Sequence, residues 1–267
     1  FSMLVAGLIP LVGTGFYALN GAKMALHEKG FDQLKSLRTV KKSEIEKFFR
    51  QMKNQVITLS EDQMTIDMMR ESKKGFYSLV QDMNVNTSML QGYKGAMQNF
   101  LRDEFGGKYT AATGNNISID TLGANADEGL VAQYVYIANN RYANGEKGML
   151  VDAENASYYA KIHTAYHPMM RSYQEKFGYY DIFLVDPDSG DIVYSVFKEV
   201  DYATNLHSGP YKNSALARVV REASGADSKD ATYIEDFESY APSYGAAASF
   251  IASPIVENGD NIGVLVF

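Results

Sequence analysis

At 267 residues, with a formal net charge of −7 and no cysteine, the chain is long enough to bury a sizeable core without disulfides. The acidic balance, with no Lys/Arg run longer than Lys41-Lys42 or Lys73-Lys74, argues against a nucleic-acid surface. Lack of cysteine excludes thiol catalysis and Cys-ligated zinc.

Residues 1–22, FSMLVAGLIPLVGTGFYALNGA, carry no charge, and Lys23 is the first charged residue. About 20 apolar residues cross a bilayer core as a helix. We therefore expect a transmembrane helix here, in preference to a signal peptide or a buried core helix. Gly7, Pro10, Gly13 and Gly15 are better tolerated in lipid than in a soluble helix. Residues 23–60 contain no proline and one glycine, Gly30, and abound in Lys, Glu, Gln, Leu and Met, which predicts one long helix. Leu34, Leu37, Ile45, Phe48, Met52, Val56 and Leu59 form an apolar stripe. At 1.5 Å per residue the helix is roughly 55 Å long. Arg38 and Lys41 interrupt the stripe where a strict coiled coil places apolar residues. Packing on its own chain and a homodimer seam both remain open.

A second helical stretch is expected over 62–105, broken near Gly75 and Gly92 and ended by Gly106-Gly107. Its methionines (Met64, Met68, Met69, Met83, Met89, Met97) read as core filling and not as a copper site, because no His accompanies them. Residues 108–126 read as a loop, 127–142 as a helix, and 153–177 as a helix interrupted at Pro168.

From residue 179 the periodicity changes. Strands are expected at 180–186, 191–198, 232–237, 247–256 and 261–267, short and rich in β-branched and aromatic residues. PDSG and ENGDN join neighbouring pairs as tight antiparallel hairpins. A helix over 213–223, with Asn213 as its N-cap, separates the second and third strands. The fold class is thus α+β: long N-terminal helices, then a PAS-like five-stranded antiparallel sheet with flanking helices.

Three constellations are candidates for chemistry. The turn Asp186-Pro-Asp-Ser-Gly-Asp191 begins like a calcium loop, but Gly190 stands where a third oxygen ligand belongs and Phe197 where the closing Glu belongs. Pro187 and Gly190 make it a hairpin turn. Tyr159, His163, His167 and Arg171 fall at steps of four and share one helix face. The histidines read either as satisfied, partly buried side chains or, with Arg171, as a carboxylate grip. Zinc lacks a third ligand there. Alternation along the second strand puts Tyr194, Val196 and Lys198 on one face. Lys198, Glu199 and Asp201 form either a solvated ion cluster or, with Tyr194, the lining of a pocket suited to an amino acid or short carboxylate. Tyr211 and Tyr240 are weaker pocket candidates. No cofactor or metal is expected. No G-x-S-x-G, P-loop or G-x-G-x-x-G occurs, the only G-x-G being GTG at 13–15 inside the apolar segment, so an enzyme is not expected.

The segments LKSLRTVKKSEIEKFFRQ, AYHPMMRSYQEKFGYYDIFLVD, IVYSVFKEVDYATNL and FIASPIVENGDNIGVLVF, in that order, resemble the Cache family of extracytoplasmic sensor domains. The resemblance covers essentially the whole chain and is strongest over 127–267. It implies a single Cache module at 127–267, a helical stalk and helical region at 23–126, and a membrane span at 1–22, with a second span to follow. It further implies a small-molecule sensor of a methyl-accepting chemotaxis receptor, or of a receptor kinase or cyclase, in a bacterial inner membrane. Residues after about 23 would lie on the periplasmic or extracellular side. His163, His167, Arg171, Tyr194, Lys198, Asp201, Tyr211 and Tyr240 would line the ligand site. A membrane-anchored module that binds a partner protein is the alternative, and a hydrolase comes last because no nucleophile pairs with a base.

Overall fold

The computed structural model describes the backbone of residues 2–267 and the side chains from residue 10 onward. Two compact units divide the chain, Phe1–Met52 and Lys53–Phe267. Residues 2–52 of the first are helical and belong to α1 (Ser2–Ser60). Strong helix formers from residue 23 onward, interrupted by Gly30 alone and by no proline, account for the length of its second part. Its residues are exposed from 10 to 51, apart from half-buried Gly30, so Leu34, Leu37, Ile45 and Phe48 of the apolar stripe lie in the open. Residues 1–9 of the expected membrane span lie outside the described side chains. Among the described residues no helix is long and apolar enough to cross a membrane.

The second unit is α+β. After the last turns of α1, where Val56 and Leu59 are buried, come α2 (Gln63–Asp82), α3 (Thr87–Phe100), a π-helical turn (Leu101–Gly106) and α4 (Gly107–Thr113). The expected break at Gly75 is absent. Gly75 sits inside α2 because a Cβ there would stand 2.9 Å from the Tyr159 backbone, so this glycine serves a close approach and does not end a helix. The chain breaks instead at 83–86, where Asn84 takes positive φ and Asn86 caps α3. Gly92 lies within α3, and Gly106-Gly107 are passed through; the helix stops at Gly114, in the left-handed conformation. The methionines expected in the core are there in part: Met68, Met69 and Met97 are buried.

Further along, α5 (Asp127–Gln133) passes into a second π turn, Tyr134–Ala138, so the expected helix 127–142 is shorter and changes type. α6 (Tyr158–Phe177) is continuous through Pro168. That proline is exposed, which lets water satisfy the carbonyl it leaves unbonded.

The five strands are β1 (Phe183–Val185), β2 (Ile192–Ser195), β3 (Tyr233–Ser239), β4 (Ala247–Glu257) and β5 (Asp260–Val266). All neighbours are antiparallel, in the order β2-β1-β5-β4-β3. β1 and β2 are buried on both faces, which explains their near-continuous apolar sequence. Asn258 and Gly259, both at positive φ, close the β4–β5 hairpin. Between β2 and β3 lies α7 (Ala215–Ser224), capped by Ser214 and not Asn213: Ser214 Oγ accepts from the Ala217 amide at 3.2 Å. The helices of 63–113 thus belong to the same compact unit as the sheet.

Candidate functional site

The turn 186–191 reverses the chain as expected, with Gly190 at φ +82° and its amide bonded to the Asp186 carbonyl. It is also held from outside. Lys73 Nζ on α2 reaches Asp186 at 2.6 Å and Asp188 at 3.0 Å, and the Tyr77 hydroxyl lies 2.8 Å from Asp186, 2.6 Å from Ser189 and 2.9 Å from Asp191. Among the described residues no group of three or more His, Asp or Glu side chains is disposed to hold a metal ion.

The second cluster lies where α6 crosses β2. Tyr159, His163 and His167 are buried on one face of α6, as the step of four requires. The two imidazoles stack with centroids 4.3 Å apart. His167 Nε2 is 2.7 Å from the Gly148 carbonyl, and its Nδ1 is 2.7 Å from the Tyr194 hydroxyl. A carbonyl only accepts, so Nε2 carries the proton and Nδ1 accepts from Tyr194. By the same logic His163 donates from Nδ1 to the Val151 carbonyl at 3.0 Å, leaving Nε2 as a bare, buried acceptor with no partner among the described residues. Burial holds both histidines neutral, His163 well below the ordinary range and His167 at about 3, with the Lys198 charge second. Arg171, one step further on α6, is not brought to this cluster by its hydrogen bond: it donates to Glu175 at 2.8 Å.

Tyrosines complete the wall. Tyr159 donates to the Val193 carbonyl at 2.7 Å, so the 2.8 Å contact with Tyr202 is donated by Tyr202. Tyr136 lies with its ring 4.6 Å from His163 and 5.5 Å from Tyr159, and its hydroxyl has no partner among the described residues.

Lys198 points into this wall. β2 ends at Ser195, so strand alternation does not carry Lys198 there; a left-handed backbone at φ +62° does. For a long side chain that conformation is strained, and such strain gathers at functional sites. The ammonium lies 4.5 Å from the Tyr194 ring centroid, 5.0 Å from Tyr202 and 5.6 Å from Tyr136, the geometry of a cation–π cage. Its hydrogen bond goes to the Ser195 carbonyl. The side chain is 2 % exposed, and burial pulls its pKa down to about 7, opposed by Asp181.

The solvated ion cluster held open for Lys198, Glu199 and Asp201 is not formed, because the loop folds all three inward. Asp201 is fully buried. One of its oxygens accepts from Tyr240 at 2.6 Å, and the other has no partner among the described residues. Burial raises its pKa to about 6. Glu199 accepts from Tyr180 and Ser243, and burial, with Asp201 second, pushes it to about 8. Tyr211 stands 6.3 Å from Tyr240, ring to ring. Asp181 accepts from the amides of Ile182, Val196 and Phe197 at 2.7–2.9 Å through one oxygen, while the other is unpartnered among the described residues. Burial, then Asp201, raises it to about 7 against the bonds from Phe197 and Ile182 and the Lys198 charge.

The structure therefore gathers Tyr194, Lys198, His163 and His167 at one end, and Asp201, Tyr211 and Tyr240 at the other. Sequence reasoning missed Tyr136, Tyr202 and Asp181. Among 19 tyrosines no spacing marks these, and Asp181 reads only as the polar start of a strand. The arrangement offers an acceptor at His163, a donor at Tyr136, a cation at Lys198 and free carboxylate oxygens at Asp181 and Asp201. Comparison with known proteins returns no matching family model, no similar curated protein and no similar solved structure.

Proposed function

We propose that the protein is the extracytoplasmic ligand-sensing domain of a transmembrane signal-transduction receptor, a PAS-like Cache module that binds a small amino acid or carboxylate. In this reading residues 1–22 anchor it, the remainder of α1 from residue 23 is the stalk and homodimer seam, and a methyl-accepting chemotaxis receptor is the output, with a receptor kinase or cyclase as the alternative. The sheet order β2-β1-β5-β4-β3 and the helix-bearing connection between β2 and β3 support the PAS-like part. The observation that carries the ligand reading is the set of buried, unpartnered polar atoms in the two clusters: Tyr136 Oη, His163 Nε2 and one oxygen of Asp181 at the end of strained Lys198, and one oxygen of Asp201 at the other. Leaving such groups unpaired costs about 1–3 kcal/mol each. A ligand with a carboxylate for Lys198 and Tyr136, and a donor for His163 or Asp201, recovers that cost on binding.

Thermal melting against a panel of amino acids, short carboxylates and amines tests this. At a hundredfold excess over Kd a ligand adds about 2.7 kcal/mol, a rise of several degrees in Tm, and Lys198→Met abolishes it. One observation favours a second reading, a partner-binding module with no ligand. The rings of Tyr136, His163 and His167 pack at 4.3–4.6 Å and occupy the space between α6 and β2 with side chains. A broad panel with no shift selects that reading.

A further inference from the structure

The loop that supplies Lys198, Asp201, Tyr202 and Tyr211 is sewn to the acidic turn. The Ile192 amide bonds the Thr204 carbonyl at 3.0 Å, and the Leu206 amide bonds the Gly190 carbonyl at 2.7 Å. Asn205 Nδ2 donates to the Ser189 carbonyl and to Asp191 Oδ1, both at 2.8 Å. The packing is direct, since a Cβ on Gly190 would meet the His207 ring at 2.6 Å. On its other side the same turn is gripped by Lys73 and Tyr77 of α2. Ser189 and Asp191 are contacted from both directions: by the Tyr77 hydroxyl of α2, whose single proton is shared among Asp186, Ser189 and Asp191, and by Asn205 Nδ2 in the loop.

We propose that the turn 186–191 is a mechanical link, which makes the placement of α2 and the closure of the Lys198–Tyr211 loop over the candidate site a single coupled equilibrium. Charge-assisted bonds at 2.6–3.0 Å fix both seams. A displacement of α2 by one bond length breaks the grip, so loop and helix either move together or separate. The loop holds two non-glycine residues at positive φ, Lys198 and Ala203, and such backbone persists only where its surroundings hold it. This coupling is independent of which molecule, if any, the site takes.

Hydrogen–deuterium exchange on the full chain tests the link, comparing wild type with Tyr77→Phe and Lys73→Met. Both residues lie on α2, Tyr77 partly exposed and Lys73 30 % exposed, and neither lines the site. Losing hydrogen bonds to charged groups at the turn is expected to speed exchange of the Ile192, Tyr202, Thr204 and Leu206 amides about tenfold, leaving β4 and β5 unchanged. Coupling is reciprocal, so Asn205→Ala speeds exchange in the second half of α2. Arg141→Met, which removes the exposed pair with Glu154, does neither. Acceleration confined to 186–191 overturns the proposal. So does acceleration spread evenly over β4 and β5, which would make the grip an anchor of the whole unit and not a link.

Discussion

The acidic turn and the tyrosine-histidine cluster are built from the same residue types, Lys, Tyr and Asp, yet they solve opposite problems. At the turn, Lys73 faces two carboxylates and Tyr77 faces Asp186, Ser189 and Asp191, and the bonds hold Asp186 below its ordinary pKa even though burial acts the other way. At the cluster, Lys198 has no carboxylate within ion-pair distance among the described residues, and four polar atoms nearby stand unpartnered. The difference teaches that charge and polarity alone do not locate function. A saturated polar cluster ties parts of a fold together, whereas an unsaturated one keeps buried polar groups at a cost.

Four measurements sharpen or break that contrast. The largest effect is expected from Asp186→Ala, which takes the buried carboxylate from Lys73 and Tyr77 and frees the Asp188 amide; denaturant unfolding should show a loss of about 2–3 kcal/mol. Lys198→Met should go the other way. Removing a buried cation that no carboxylate pairs is expected to raise stability by about 1 kcal/mol, and a loss of about 1 kcal/mol or more would show that the cage is structural.

Third comes pH. Glu199 has its folded pKa raised from 4.5 to about 8, so the stability it contributes is fully present below 4.5 and is lost as pH rises through 8. Glu199→Gln stays neutral. Its stability relative to wild type should therefore grow across that window, by up to ~1.4 kcal/mol per pH unit; a constant difference would mean that Glu199 is ionised in the fold. The smallest effect belongs to Asp188→Asn. That carboxylate is 83 % exposed, and solvent screening limits its pairing with Lys73 to about 1 kcal/mol or less.

Much of the fold was legible. Five strands, their antiparallel hairpins and the helix between the second and third appear where the periodicity placed them, within a few residues. Errors fall on glycine and on Pro168, which α6 runs through. Gly75 and Gly92 look like breakers to a reader of local propensity, whereas Gly75 is small because Tyr159 packs against it. The site was partly legible: the step of four on α6 correctly put His163 and His167 on one buried face, and Tyr194 and Lys198 do meet. They meet through a positive φ that no alternation rule contains.

The sequence by itself determined where helices and strands form and that the turn 186–191 reverses the chain, because hydrophobic period, Pro187 and Gly190 are local signals. Only the tertiary structure decided which polar groups are satisfied. Whether Lys73 or Lys198 finds a carboxylate depends on contacts that cross more than a hundred residues in one case and on a loop folding inward in the other. Burial then sets which proton each buried group keeps.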